Sequence, residues 1–224
     1  MISKPSLNQK KLEIKRALIS VYDKTGVVDL SKNLIELGIE ILSTGGTAGT
    51  LRDEGIPVTD VSDYTQFPEI MDGRVKTINP LVEGGILGLR DLHSKDAEKH
   101  NIKWIDLVVC NLYPFSETIS QKECDLALAL ENVDIGGPTM IRSAAKNVGW
   151  VTVVVDPSDY TVVSNELEEN GGLTFEFRKR LSSKAFGRTA QYDAIIHNYL
   201  KDENFSETLS LTYEKKAEMR YGEN

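Results

Sequence analysis

The chain has 224 residues, 40% hydrophobic and 27% charged, which is the composition of a globular protein with room for one large domain or a domain and an appendage. A net charge of −8 argues against non-specific contact with nucleic acid or acidic lipid. No apolar run approaches the ~20 residues of a membrane span.

Cys110 and Cys124 lack a CxxC spacing, and His93, His100 and His197 lack HxxxH pairing, so neither a disulfide framework nor a metal site is expected. Residues 1–16 are polar and lysine-rich without the apolar core of a secretion signal, and a cytoplasmic location is expected.

In chain order, residues 16–22 (RALISVY) read as a buried strand. Val27, Leu30, Leu34 and Leu37 then recur at helical spacing until Gly38 stops the helix. A second strand over 39–43 runs into Thr44-Gly45-Gly46-Thr47, with a short helix predicted over 48–54 and a third strand over 58–61. Strand-helix-strand-helix-strand with short connections predicts a parallel sheet with right-handed crossovers.

Ligands bind beyond the carboxyl ends of such strands, here at Asp23-Lys24 and residues 44–47. Gly45 and Gly46 would let backbone N–H groups face an anion at a helix N-terminus, with Thr44 and Thr47 adding hydroxyls; an ordinary turn and cap is the other reading. Residues 62–92 read as mostly loop, with Gly84-Gly85 breaking an apolar run. Within them, Arg74-Val75-Lys76-Thr77 would point both cations one way if extended, as an anion clamp or a solvated pair.

Residues 104–112 (WIDLVVCNL) form the most apolar strand, expected at the centre, with Cys110 in the core and Asn111 and Tyr113 at its carboxyl end. Helices follow over 124–132 and 139–147. Asp134 lies before the second, Pro138 in its first turn, and Arg142 and Lys146 share a face four residues apart. A strand over 151–155 precedes a helix capped by Ser158. Thr174 caps a long helix whose stripe of Leu181, Ala185, Thr189, Tyr192, Ile196 and Tyr199 reads as core or subunit contact. Residues 202–224 are polar, and the abrupt stop after the motif-like run Met219-Arg220-Tyr221-Gly222-Glu223-Asn224 reads as a truncation.

The runs SVYDKTG, STGGTAGTL, DGRVKTINP, CNLYPF and DIGGPTMIRSAAKN, spread over residues 15–200, closely resemble the IMP cyclohydrolase domain of the bifunctional purine-biosynthesis proteins known as PurH. RYGEN, at 220–224, resembles the start of that family's AICAR transformylase domain. The resemblance implies a polar extension at 1–14, the cyclohydrolase domain at 15–200, and a linker with a truncated transformylase start at 201–224. It also implies a methylglyoxal-synthase-like α/β fold, Rossmann-like and three-layered, with a largely parallel sheet between helices.

The implied reaction is ring closure of formyl-AICAR (FAICAR) to IMP without cofactor or metal, in a homodimer that binds neither nucleic acid nor membrane. Formyl transfer from 10-formyltetrahydrofolate would belong to the missing domain. Residue by residue, Tyr22, Asp23, Lys24 and Thr44, Gly45, Gly46, Thr47 match nucleotide-binding positions, as do Arg74, Val75, Lys76, Thr77, Cys110, Asn111, Asp134 and Ile135.

Lys146 matches the proton donor and acceptor, with Lys76, Tyr113 and Asp134 around the reacting atoms. Asp134 is expected to hold Lys146 charged, and Asn111, Tyr113 and Lys76 to donate to the formyl oxygen. Three positions depart from the family pattern: Tyr22 replaces a common Ser, Asn79 a common His, and Leu89 an Arg. Methylglyoxal synthase would show a GGDxQ-like motif, which is absent. A regulatory nucleotide-binding module would not need Lys76, Tyr113, Asp134 and Lys146 together.

Overall fold

The computed structural model describes residues 7–202, 207–213 and 215–218. Among them the strands are β1 (Arg16–Val21), β2 (Glu40–Ser43), β3 (Thr59–Asp60), β4 (Leu107–Asn111) and β5 (Thr152–Val154), in one sheet of order β3-β2-β1-β4-β5. Every pairing is parallel. The most apolar strand, β4, is therefore interior but not central; β1 holds the centre, because the chain winds outward to β3 and then returns to the other side of β1. That reversal between β1 and β4 opens a crevice at their carboxyl ends.

Successive strand residues face opposite ways, and each face has its own core. Ala17, Ile19, Leu107 and Val109 meet α1 (Val27–Glu36), α2 (Gly45–Asp53) and α9 (Tyr160–Asn170) through Leu30, Leu34, Leu51 and Val163. Leu18, Val108 and Val153 meet α4 (Pro80–Leu87) and α8 (Gly136–Lys146) through Val82, Ile86, Met140 and Ile141. The longest helix, α10 (Phe175–Leu200), packs along β5 and so covers a sheet edge that would otherwise invite pairing. Thr174 caps it as expected, accepting from Phe177 N–H. No helix among the described residues is long and apolar enough to cross a membrane.

Several elements differ from the sequence reading. Residues 62–92 are mostly loop, as expected, but hold two short helices: α3 (Val61–Thr65) follows β3 directly, and α4 forms because Asn79 caps Leu81 N–H at 2.8 Å and Pro80 suits the first turn. Gly84 and Gly85 lie inside α4, where a side chain at 85 would strike the Lys103 carbonyl; they permit close packing and break nothing. The short helices α5 (Ser94–Lys99), α6 (Phe115–Ile119) and α7 (Leu126–Glu131) complete the set.

Asp156, not Ser158, caps the turn before α9: its carboxylate accepts from Ser158 N–H. The polar extension expected at 1–14 is packed from residue 8 on. Leu12 bridges Leu173, and the fully buried Arg178 donates to the carbonyls of Asn8 and Lys10. The motif at 220–224 lies outside the described residues.

Candidate functional site

Four walls meet at the carboxyl end of the sheet. The first is the start of α2, which begins at Gly45, three residues earlier than expected. Thr44 is extended, and Gly45 takes a left-handed φ of 55° that turns the chain into the helix, a conformation costly for other residues. The exposed Gly45 and Gly46 thus form the first turn of a nine-residue helix, where unpaired N–H groups favour an anion.

Two ammonium groups flank the diglycine. Lys76 Nζ lies 3.5 Å from where a Cβ on Gly45 would stand, and Lys24 Nζ 3.9 Å from that of Gly46. Thr47 is not a free donor. Its hydroxyl donates to Val21 O at 2.9 Å and accepts from Val21 N–H at 3.1 Å, fastening the helix start to β1. Thr44 is buried and its side chain makes no cap bond.

The second wall is the 70–79 segment, which is not extended. Ile70 and Val75 pair in an antiparallel bridge around a left-handed turn at Met71, Asp72 and Gly73. The two cations consequently diverge. Arg74 forms an ion pair with Glu131 of α7, whereas Lys76 turns towards Gly45. Thr77 is buried with its hydroxyl against Gly136. Asn79, one of the departures, serves as the α4 cap.

The third wall is the end of β4. Cys110 is buried, and desolvation, with the nearby Asp134 charge, pushes its thiol far above the usual range, so it is an inert core group. Asn111 is engaged with the protein itself: Oδ1 accepts from Tyr22 N–H at 2.7 Å and Asp23 N–H at 3.0 Å, and Nδ2 donates to Asp23 O at 2.9 Å. It shapes the turn after β1, in place of the expected oxyanion donor. Asp23 is fully exposed, and the Thr25 side chain and N–H hold its carboxyl below the usual value.

The fourth wall is the turn into α8, which starts at Gly136, earlier than expected because Pro138 fits inside the first turn. Burial raises the Asp134 carboxyl above its ordinary pKa; the Gly137 N–H, the Lys76 charge and the Tyr113 N–H pull it back without cancelling the rise. The Gly137 bond to Oδ1 is 2.8 Å, and a side chain at Gly137 would collide with Oδ2. Tyr192 of α10 accepts the Asp134 backbone N–H at 2.8 Å. The sequence reading missed this contact, placing Tyr192 on a packing stripe. Ile135 is exposed beside Asp134.

Lys146 is the exception. It is exposed on the last turn of α8, about 15 Å of helix from Asp134. One chain therefore does not let Asp134 hold Lys146, contrary to expectation.

A cavity of about 570 Å³ opens beside these walls, lined by Tyr22, Asn111, Tyr113, Asp156, Arg188 and Tyr192 among others. Among the described residues no cluster of three or more His, Cys, Asp or Glu side chains could hold a metal. What the walls offer is an anion cradle at one end and, across Lys76, a carboxyl poised to exchange a proton at the other.

The family described as MGS-like domain matches residues 26–139, which carry three of the four walls and the start of the last. The chain belongs to the MGS-like domain family. Residues 144–224 match the family described as AICARFT/IMPCHase bienzyme. Two curated relatives are named bifunctional purine biosynthesis protein PurH, from Listeria monocytogenes serotype 4b. One, of strain CLIP80459, is 55% identical over 216 residues, covering 94% of this chain and 42% of the relative. The other, of strain F2365, is 54% identical with the same coverage.

The chain thus spans less than half the length of these relatives. A solved structure titled "Crystal structure of ForH" superposes with a TM-score of 0.75 at 38% identity, covering 82% of this chain and 95% of that one. The sheet of this chain is wholly parallel and flanked by helices on both faces, an α/β fold in keeping with its MGS-like family.

Proposed function

We propose that this chain closes the second ring of a purine nucleotide, converting FAICAR to IMP. The observation that carries the reading is the placement of Asp134, its carboxyl raised by burial, across Lys76 from the Gly45-Gly46 helix start. The substrate phosphate sits on the α2 N–H groups between Lys24 and Lys76, and the carboxamide and formyl groups lie towards Asp134. Such fixation makes the ring closure an intramolecular reaction held in its productive pose.

In the reaction the carboxamide nitrogen bonds to the formyl carbon, whose oxygen gains negative charge. Lys76 and the Tyr113 phenol donate to that oxygen. Asp134 accepts the proton lost by the carboxamide nitrogen and passes it to the oxygen, giving a hydroxyl. That hydroxyl then leaves as water with a second proton, released from the formamido nitrogen as the ring C=N bond forms. A carboxyl with a raised pKa suits both halves of this exchange. Thr47 and Asn111 hold the turns that present these groups, Arg74 steadies the 70–79 segment on α7, and Lys146 acts only from a neighbouring copy in the expected homodimer. No cofactor or metal takes part. Formyl transfer belongs to the part of the relatives that this chain does not span.

The resemblance in five ordered motifs and the similarity to PurH support this reading over its alternatives. Incubation with FAICAR, followed by absorbance for IMP, tests it. Purine-nucleotide binding without turnover would favour a regulatory module, and methylglyoxal release from dihydroxyacetone phosphate would favour a methylglyoxal synthase.

A further inference from the structure

Tyr22 and Tyr113 leave the two strands, β1 and β4, that flank the crevice. Their ring centroids are 4.9 Å apart with planes inclined by 48°, and each residue stays about half exposed, at 49% and 48%. Among the described residues neither phenol makes a hydrogen bond, so ring contact is what orients them. Tyr22 itself is anchored through its backbone, since Asn111 Oδ1 takes its N–H at 2.7 Å and also ties Asp23. Both residues line the 570 Å³ cavity, so solvent reaches the pair.

We propose that Tyr22 is a positioning residue for Tyr113: its ring is the stop that fixes where the Tyr113 phenol presents to the reacting end of the substrate. The inference rests on the ring-closure reading and adds a residue to it at a position where the sequence departs from the family pattern. A tyrosine on irregular chain, half in water, visits more than one rotamer unless something blocks the others. An aromatic neighbour in tilted contact biases that choice by about two- to tenfold. A serine at position 22 would remove the stop. The phosphate cradle of Gly45, Gly46, Lys24 and Lys76 would remain, so the loss falls on catalysis and not on binding.

The test compares wild type with Tyr22→Ser and Tyr22→Phe in the full chain, measuring kcat and KM for FAICAR and, without substrate, the ring-proton chemical shifts of Tyr113, assigned through Tyr113→Phe. Tyr22→Ser should lower kcat about fivefold with KM nearly unchanged, and should abolish the ring-current shift that Tyr22 imposes. Tyr22→Phe keeps the ring and should recover most of kcat together with the shift.

A Tyr22→Ser variant with undiminished kcat, or one that changes KM alone, overturns the proposal, as do wild-type Tyr113 shifts matching those of an isolated ring. Wild type that leaves FAICAR unchanged overturns the ring-closure reading instead, and the ring shifts then still decide whether Tyr22 holds Tyr113.

Discussion

Gly137→Ala sets a methyl group against the carboxylate on which the proposed ring closure depends. The new Cβ would overlap Asp134 Oδ2 and come within 2.8 Å of Leu112 Cδ2. Relief requires the carboxylate to swing away, which breaks its 2.8 Å bond from Gly137 N–H. Overpacking of this kind costs about 1–3 kcal/mol. Alanine in place of glycine within a helix returns about 1 kcal/mol, so net destabilisation should be small. The effect on activity is much larger, because a catalytic group displaced by about 1 Å loses on the order of 100-fold in rate.

The assay is IMP formation at saturating FAICAR beside a thermal melt. The expected result is kcat down about 100-fold with the melting temperature within a few degrees of wild type. A folded Gly137→Ala chain with kcat within about threefold of wild type would refute the placement of Asp134 at the reacting end.

Three further outcomes follow from the same structure. Burial raises the Asp134 pKa above its ordinary 3.8, so the acid limb of kcat should fall at a higher pH than an unperturbed carboxylate would give, and it should vanish in Asp134→Asn along with most of the rate. Because the folded state holds that proton more tightly than the unfolded chain, Asp134 stabilises best at low pH and loses this contribution as pH rises through its folded value. Asp134→Asn should therefore melt no lower than wild type at pH 7.

Arg178 is fully buried and donates to the carbonyls of Asn8, Lys10, Val148, Gly149 and Leu173. Arg178→Met should cost about 3–5 kcal/mol and lower the melting temperature by about 10 °C, by calorimetry. Mixing Lys146→Ala with Asp134→Asn should regain up to about a quarter of wild-type turnover if a neighbouring copy presents Lys146, since half-sites then recombine in mixed dimers. Two inactive parents that stay inactive when mixed would remove Lys146 from the chemistry.

The inner strands were legible because both faces of a parallel sheet are buried there and runs such as Ala17-Leu18-Ile19 and Leu107-Val108-Val109 are apolar. The Thr174 cap was legible because it acts three residues away. The diglycine and Asp134 were visible as types at strand ends and helix starts. What sequence spacing concealed was which polar groups are already engaged. Thr47 and Asn111 look like ligand donors until β1 is folded beside them, 26 and 89 residues distant, and claims their hydrogen bonds.

Arg74 and Lys76 read as one clamp only on extended backbone; a left-handed turn separates them. Tyr192 lies 58 residues from Asp134, and nothing local distinguishes its hydroxyl from that of any packing tyrosine. Lys146 shows the converse: twelve residues of separation in sequence looked close, but a rigid helix makes it far.

The most direct measurement is turnover of FAICAR by the purified chain beside its Asp134→Asn variant, read as IMP absorbance at saturating substrate and pH 7. The structure predicts IMP from the wild type and a loss of at least about 100-fold in the variant, with FAICAR still bound through the Gly45-Gly46 cradle. Equal turnover by both chains, or none by the folded wild type while it binds FAICAR, would contradict it.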